Sequence, residues 1–213
     1  MIDPALLSAY IASRICHDLV SPVSSVASAI DFLNEPTDSE MRQQAEQLLQ
    51  KGSGDAGARL QFLRYAFGSM GLSDGAADIH EAKSVTENFV ATHKPTVNWD
   101  IETDHLSYSH ARLMMNLLMI GVDCLPRGGT LGVRIRNDAD GLSIIVDAVG
   151  NRAKLRDETA LAVEGQQPEG GWSARNIQPL FTRMIADGLG AAITVQAGED
   201  RVVISARGVR AEG

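Results

Sequence analysis

His17 and Asp18 stand side by side in the segment Ile15-Cys16-His17-Asp18-Leu19-Val20-Ser21-Pro22. Apolar residues recur here at spacings of three and four, which predicts a helix with His17 on its polar face. An exposed, neutral imidazole is a nucleophile that can carry a covalent intermediate. Pro22 lacks an amide donor and its ring crowds the carbonyl of Asp18, so we expect a bend just after His17. The alternative is a surface histidine on a bent helix that performs no chemistry.

The two faces of this predicted helix differ in composition. The apolar stripe, which we expect to face other elements, comprises Ile11, Ile15, Leu19, Val23, Val26, Ile30 and Leu33. The polar face carries Arg14 one turn before His17 and, after it, the small residues Ser21, Ser24, Ser25 and Ser28. These serines leave His17 accessible and form a shallow surface for a partner helix. A solvated, serine-rich surface without a partner is the alternative.

Two long helices are predicted within residues 1–72. Asp3-Pro4 is a typical helix start. Thr37 is the predicted cap of the second helix, and Glu40 completes a capping box. Three glycines between positions 52 and 57 each cost about 1 kcal/mol relative to alanine in a helix. We still predict one continuous helix, because small residues allow close helix packing; a break near Gly54 is the alternative.

A lone helical hairpin cannot bury its apolar stripes on both sides. Two hairpins related by a two-fold axis would do so in a four-helix bundle, and such symmetry is the common route to dimers. We therefore expect residues 1–72 to form a dimeric four-helix bundle.

The pattern after residue 73 is that of an α/β domain. Its predicted helices are 78–93, 107–125, 158–163 and 174–187, and its predicted strands are 96–102, 130–136, 142–149, 191–197 and 201–207. Asp140-Gly141 is a typical turn between two of these strands. This order predicts an α/β sandwich in residues 73–213, with one layer of helices on one mixed sheet.

Composition and charge exclude several classes of protein. The 213-residue chain has a net charge of −8 and a pI of about 5.1, which disfavours nonspecific nucleic-acid binding. We see no apolar run of membrane-spanning length and no signal peptide, so we expect a cytoplasmic protein without a membrane partner. Cys16 and Cys124 fit small core residues in a reducing compartment rather than a disulfide.

The remaining histidines and the tryptophans have no spacing that indicates a ligand site. We expect no metal site from His80, His93, His105 and His110. Trp99 and Trp172 are expected to pack in the core rather than to stack on bases.

The run His17-Asp18-Leu19, followed by Pro22, resembles the phosphoacceptor box of sensor histidine kinases. The order of elements along nearly the whole chain resembles the same family. In that family the hairpin dimerises and carries the phosphoryl group, while the second domain binds ATP. The first ATP-binding box is incomplete here, because Ile120 stands where a second asparagine should follow Asn116. Isoleucine has no oxygen for magnesium, which requires oxygen ligands.

The other ATP-binding boxes of that family are also damaged. Ala148 occupies the place of the adenine-binding aspartate and Arg152 that of the next glycine. An alternative register uses Asp147, but the glycine spacing then fails. The segment from Asn176 to Phe181 lacks the glycines of a phosphate lid. A fold without its ligand residues does not carry the enzyme's activity, so we expect no ATP binding and no cofactor.

This combination is similar to the ChpT-type histidine phosphotransferases of alphaproteobacteria. The resemblance implies a homodimer with a degenerate histidine-kinase-ATPase-like domain, which passes phosphoryl groups between receiver domains in a cell-cycle phosphorelay. It implies a donor, the receiver domain of a CckA-type hybrid histidine kinase. It also implies acceptors, which are response regulators of the CtrA and CpdR type. Magnesium would be supplied only by the receiver.

Under this resemblance His17 is the phosphoacceptor. Asp18 orients the imidazole or influences its protonation, and Arg14 contacts the phosphoryl oxygens. For Asp18 and Arg14, ordinary solvated charges are the alternative. The surface for the receiver comprises Ser21, Pro22, Ser24, Ser25 and Ser28.

The degenerate domain would contact the docked receiver through Arg152, Lys154 and Arg156, or it would only stabilise the hairpin. Two competing functions remain at this point. One is an active ATP-dependent histidine kinase with divergent boxes, and the other is a non-catalytic dimeric adaptor.

Overall fold

The computed structural model describes residues 2–35, 38–68, 75–103 and 106–210. Helix α1 spans Pro4–Asn34 and helix α2 spans Ser39–Phe67, which confirms the predicted helical hairpin. Three of the predictions above fall outside the described residues. These are the cap at Thr37, the histidine at position 105 and the domain boundary between residues 72 and 73, so the division into two domains stays a prediction.

The caps of the two helices are both aspartates. Asp3 caps α1 as predicted, and its carboxylate accepts hydrogen bonds from the backbone amides of Ala5 and Leu6. The cap of α2 is Asp38, whose carboxylate accepts from the backbone amide of Met41 at 2.8 Å. This aspartate satisfies a free amide at the start of α2, as a cap residue is expected to do.

Helix α2 continues through its three glycines, which confirms the prediction of one continuous helix; the alternative, a break near Gly54, does not occur. Gly52 lies where α2 packs against α1. A Cβ at this position would lie 3.1 Å from the Pro22 carbonyl oxygen and 3.1 Å from Cγ2 of Val26. Gly54 and Gly57 have open space around them. Close packing therefore explains Gly52 alone, and it occurs beside the proline that follows His17.

The apolar stripe predicted on α1 divides into two faces. Most of it is half-buried, namely Ile11, Ile15, Leu19, Val26 and Leu33. Val23 and Ile30, by contrast, are 54% and 45% exposed, and Val20 beside them is 60% exposed. Since Cys16 is exposed as well, the prediction that it fills the core is wrong. The hairpin thus leaves one apolar face uncovered.

Residues 75–210 form the predicted α/β sandwich. Its helices are α3 (Ile79–Ala91), α4 (Tyr108–Asp123), α5 (Asp157–Val163) and α6 (Ile177–Gly188). Its strands are β1 (Ala76–Ala77), β2 (Thr96–Ile101), β3 (Leu106–Ser107), β4 (Thr130–Asp138), β5 (Gly141–Val149), β6 (Ala192–Gly198) and β7 (Arg201–Val209). The two-residue strands β1 and β3, which were not predicted, pair with each other.

The main sheet has the order β2-β4-β5-β7-β6. Strands β2 and β4 run parallel, and the other neighbours are antiparallel, so the sheet is mixed as predicted. Helices α3, α4 and α6 pack on one face of it. Helix α4 is central to the core, since its residues from Leu113 to Ile120 are buried. It lies between the sheet and α2 of the hairpin.

The hairpin packs against the α/β sandwich through apolar contacts. Ile2, Leu7, Tyr10 and Ile11 contact a small core of Ala162, Ile177, Leu180 and Trp172. Trp172 therefore packs as predicted, and Trp99 packs at the edge of the main core. Cys124 is buried, and this burial raises the pKa of its thiol to about 12, which makes it unreactive. No helix among the described residues has the length and apolarity needed to cross a membrane.

Candidate functional site

His17 lies on α1 with 70% of its side chain exposed. Its Nδ1 is 3.1 Å from Oδ1 of Asp18. Because a carboxylate accepts hydrogen bonds, this contact favours the imidazole tautomer with its proton on Nδ1 and a lone pair on Nε2. The neighbouring carboxylate thus selects the tautomer whose free nitrogen can act as a nucleophile.

Arg14 connects this pair to the α/β sandwich. Its Nε lies 2.9 Å from Oδ2 of Asp18 and its Nη2 lies 3.7 Å from Oδ2 of Asp123, at the end of α4. Burial alone would lower the pKa of Arg14, but the carboxylates of Asp123 and Asp18 raise it above its ordinary value. Arg156 also binds Asp123, at 3.1 Å. A continuous series of charged contacts therefore runs from Arg156 to His17.

Pro22 has a direct consequence for the site. Because Pro22 has no amide hydrogen, it cannot donate the helical hydrogen bond to the carbonyl of Asp18. Nη1 of Arg59, on α2, donates to this carbonyl at 2.9 Å instead. Nε of the same arginine donates to Oγ1 of Thr92, at the end of α3, at 3.3 Å. Arg59 thus joins three helices directly below His17.

His17 opens into a cavity of about 400 Å³ between the hairpin and the α/β sandwich. Four arginines line this cavity, namely Arg14, Arg59, Arg156 and Arg175. A wider groove of about 1,050 Å³ shares its Asp123 wall and adds Lys51, Lys94, Arg127, Arg152 and Lys154. Positive side chains are thus concentrated beside His17 although the whole chain carries a net charge of −8. Such a surface attracts anionic groups.

His93 lines the same cavity from the end of α3. Its Nδ1 lies 3.0 Å from the carbonyl oxygen of Phe89, and its ring lies 4.7 Å from the ring of Phe89. Burial lowers the pKa of His93, although the Phe89 carbonyl opposes this; the nearby Arg59 guanidinium lowers it further. His93 is therefore a second imidazole near His17, but a half-buried one that favours its neutral form.

The serines predicted to bind a partner lie where the sequence placed them. Ser21, Ser24 and Ser28 are exposed, and Ser25 is half-buried with its hydroxyl donating to the carbonyl of Ser21 at 3.1 Å. Pro22 is buried against α2. It therefore acts on this surface through the geometry of α1, and partner binding by the whole group stays a prediction.

Asn116, which corresponds to the first magnesium-binding asparagine of the kinase box, is completely buried. Its amide nitrogen donates to the carbonyls of Ala66 at 2.8 Å and Arg112 at 2.9 Å. Its carbonyl oxygen Oδ1 lies 3.1 Å from Nε2 of Gln178, which also reaches Oγ1 of Thr182 at 2.9 Å. Ile120 is buried in the core as well. This side-chain amide joins α2, α4 and α6.

The residue at the position of the adenine-binding aspartate in the kinase box is also part of the core. Ala148 is completely buried on the helix-covered face of β5. Asp147 points to the opposite face of the sheet, where Arg134 binds it at 3.1 Å and Arg201 at 2.7 Å. The alternative register through Asp147 therefore directs its carboxylate away from the helices. Arg152 keeps a backbone φ of 60°, a conformation that favours glycine.

Four titratable residues of the cavity were not predicted from the sequence as parts of this site, namely Arg59, His93, Asp123 and Arg175. They come from α2, α3, α4 and the loop before α6, far from His17 in the chain. For Arg59 there was a usable signal. A proline within a helix leaves one carbonyl without its donor, and a long cation on the facing helix can supply the missing hydrogen bond.

Comparison with known proteins gives consistent results. The family model of the histidine phosphotransferase C-terminal domain matches residues 79–201. The protein phosphotransferase ChpT of Brucella abortus (strain 2308) is 30% identical over 200 residues, which cover 94% of each chain. The solved structure of a bacterial phosphotransferase matches this chain with a TM-score of 0.87 at 28% identity, over 97% of this chain and 98% of its own.

A histidine kinase, AdeS of Acinetobacter baumannii, has a TM-score of 0.46 at 13% identity, over 89% of this chain and 95% of its own. The fold, a helical hairpin joined to an α/β sandwich with a mixed five-stranded sheet, is similar to that of the bacterial phosphotransferase. Homology over nearly the whole length supports phosphotransfer in a phosphorelay. On this evidence of sequence, family model and fold, the chain belongs to the histidine phosphotransferase family.

Proposed function

We propose that this chain transfers phosphoryl groups between the aspartates of receiver domains through phospho-His17, without binding ATP, in a cell-cycle phosphorelay. The observation that carries the proposal is the His17 imidazole itself. It is 70% exposed, it keeps a free Nε2 because Asp18 binds Nδ1, and it opens into an arginine-lined cavity. This combination is suited to accepting an anionic group from a partner.

The proposed reaction has two symmetrical steps. The Nε2 lone pair of His17 attacks the phosphorus of a receiver aspartyl phosphate, the N–P bond forms, and the aspartate leaves as a carboxylate. The proton on Nδ1 remains bound to Asp18, whose negative charge stabilises the positive imidazole ring. A second receiver aspartate then attacks the phosphorus; the new P–O bond forms as the N–P bond breaks, and the electron pair of that bond returns to Nε2 of His17. Positioning and charge neutralisation provide most of the catalysis in such transfers.

The absence of ATP binding in this proposal rests on the degenerate boxes. Asn116 and Gln178 use their amides for contacts within the core, and Ile120 and Ala148 are buried apolar residues. Opening this region for a nucleotide would expose core side chains and leave the carbonyl of Ala66 with fewer donors. Magnesium is assigned to the receiver's own aspartate pocket, and this chain is assigned neither a metal nor a cofactor.

The proposed partners are receiver domains. The donor is the receiver of a CckA-type hybrid histidine kinase, and the acceptors are response regulators of the CtrA and CpdR type. A receiver would lie against the exposed serines that follow His17, and Arg152, Lys154 and Arg156 would contact it across the groove. Such partners place the protein in the cytoplasm, in agreement with its two free cysteines.

The uncovered apolar face of the hairpin supports a homodimer. Val20, Val23 and Ile30 on α1 are 45–60% exposed, and Met41 and Leu60 on α2 are 47% and 56% exposed. An isolated hairpin would keep this face in water, whereas a second copy would bury it in a four-helix bundle. We expect Val23→Glu to convert dimers to monomers in sedimentation equilibrium, and Ser28→Glu, on the polar face, to leave them intact. A monomeric unsubstituted protein would contradict the bundle.

The phosphotransfer is tested with a labelled, phosphorylated receiver domain, with ATP alone in parallel and His17→Ala as the control. We expect label that is stable in alkali and labile in acid, present only with the receiver and lost in His17→Ala. Label from ATP alone would identify an active kinase. Absence of label with a receiver that binds the chain would favour the non-catalytic adaptor.

A further inference from the structure

We propose that Arg175, on the loop before α6, is the cation that binds the phosphoryl group on His17. This inference rests on the proposed function and adds to it a catalytic residue from the degenerate domain. It starts from the four arginines of the 400 Å³ cavity into which His17 opens. Three of these arginines form side-chain hydrogen bonds or ion pairs within the protein, and the guanidinium of the fourth, Arg175, forms none with the described residues.

Three of these arginines are already bound to other groups. Arg14 binds Asp18 and Asp123, with only 12% of its side chain exposed. Arg59 donates to the carbonyl of Asp18 and to Thr92, and Arg156 binds Asp123. For any of them to bind a phosphate, an existing contact would have to break. They are better suited to hold Asp18 and the cavity wall in place.

The guanidinium of Arg175 has no hydrogen bond or ion pair to another side chain or carbonyl in the part of the chain that the structure describes. Its backbone, in contrast, is held. The backbone amide of Arg175 donates to Oγ of Ser173 at 3.3 Å, and the buried Asn176 binds the amide of Ser173 at 2.8 Å and the carbonyl of Gly171 at 3.0 Å. A fixed loop thus presents an exposed, unengaged cation to the cavity of His17.

The chemistry of the transfer requires such a cation. A phosphoryl group on Nε2 brings a charge of about −2 into the cavity. The carboxylates of Asp18 and Asp123 face the same space and would repel it. A guanidinium neutralises part of the charge and donates two parallel hydrogen bonds to phosphoryl oxygens. Arg175 can do this without losing another contact.

The test compares Arg175→Gln and Arg175→Lys in the full-length protein with two phosphoryl donors. One donor is a phosphorylated receiver domain. The other is phosphoramidate, whose P–N bond breaks as the N–P bond to His17 forms and ammonia leaves. The control is Arg207→Gln, which removes an exposed arginine on the other face of the sheet. Thermal unfolding of each variant shows that the fold is retained.

We expect Arg175→Gln to slow phosphorylation of His17 about tenfold or more with both donors, which is the loss typical of one charge-assisted hydrogen bond. Arg175→Lys should recover part of the rate because it keeps the charge, and Arg207→Gln should match the unsubstituted protein. If Arg175→Gln slows phosphorylation only with the receiver, Arg175 is a docking residue and the proposal is overturned. The proposal is also overturned if Arg175→Gln matches the unsubstituted protein with both donors. If the unsubstituted protein accepts no phosphoryl group from either donor, the proposed function itself fails.

Discussion

The polar clusters around His17 and around Asn116 both lie where the hairpin meets the α/β sandwich, but only the first is open to water. His17 is 70% exposed and its neighbours are charged. Asn116, Gln178 and Thr182 are completely buried and uncharged. The second cluster is part of the core, and its polar groups bind one another and the backbone.

This difference shows how burial changes the role of a polar side chain. In a low-dielectric interior a polar group must be paired, and once paired it specifies the packing around it. Asn116 joins three helices in this way. At the surface the same kind of group stays free to bind a ligand. Substitutions in the Asn116 cluster should therefore lower stability, whereas substitutions in the His17 cluster should slow phosphoryl transfer.

The largest of these effects is expected at the buried cluster. Asn116→Ala removes the donor to the carbonyls of Ala66 and Arg112, so we expect it to lower the free energy of unfolding by roughly 1–3 kcal/mol. Denaturant unfolding measures this, with Asn98→Ala at an exposed position of β2 as the matched control. The transfer rate per folded molecule should hardly change. A loss of transfer without loss of stability would mean that the Asn116 cluster still takes part in chemistry.

A smaller effect is expected from the series of charges that supports Asp18. Asp123→Asn weakens the contact to Arg14, and we expect transfer through His17 to slow roughly two- to fivefold, as for the loss of a partly exposed ion pair. In an Arg14→Met background the same substitution should have no further effect. If the effect of Asp123→Asn disappears instead in an Arg156→Met background, Asp123 acts through Arg156 and not through Asp18.

The smallest effect concerns pH. The pKa of His93 is lowered in the folded protein because its ring is partly buried. The unfolded chain therefore binds a proton at a higher pH than the folded protein does, and stability falls as pH decreases below about 6.5, the ordinary value for histidine. The loss levels off once the pH is below the folded pKa.

Unfolding midpoints measured between about pH 5 and pH 7 check this, because His93→Gln should reduce the slope. His80→Gln, at an exposed position at the start of the same helix, is the control. Equal slopes in the two variants would show that His93 remains as accessible to protons in the folded protein as in the unfolded chain. Water would then reach the imidazole of His93 more readily than the partial burial of this ring indicates.

Local sequence signals predicted most of the fold. Aspartate at a helix start, an Asp-Gly turn and the change from helical to strand spacing depend on neighbours within a few residues, so α1 and the β4–β5 hairpin lie close to their predicted places. The cap of α2 differs because Asp38 and Thr37 are both good caps, and the spacing alone did not choose between them. The strands β1 and β3 are only two residues long and carry no periodic pattern.

The sequence by itself determined that His17 is exposed on a helix and that Asp18 lies beside it. These features depend on residue type and on spacing along one element. Tertiary structure alone decided that Arg59 replaces the amide missing at Pro22, that Asp123 holds Arg14, and that Arg175 faces the cavity. Such contacts join residues dozens of positions apart, and their geometry is set by how the hairpin packs on the α/β sandwich.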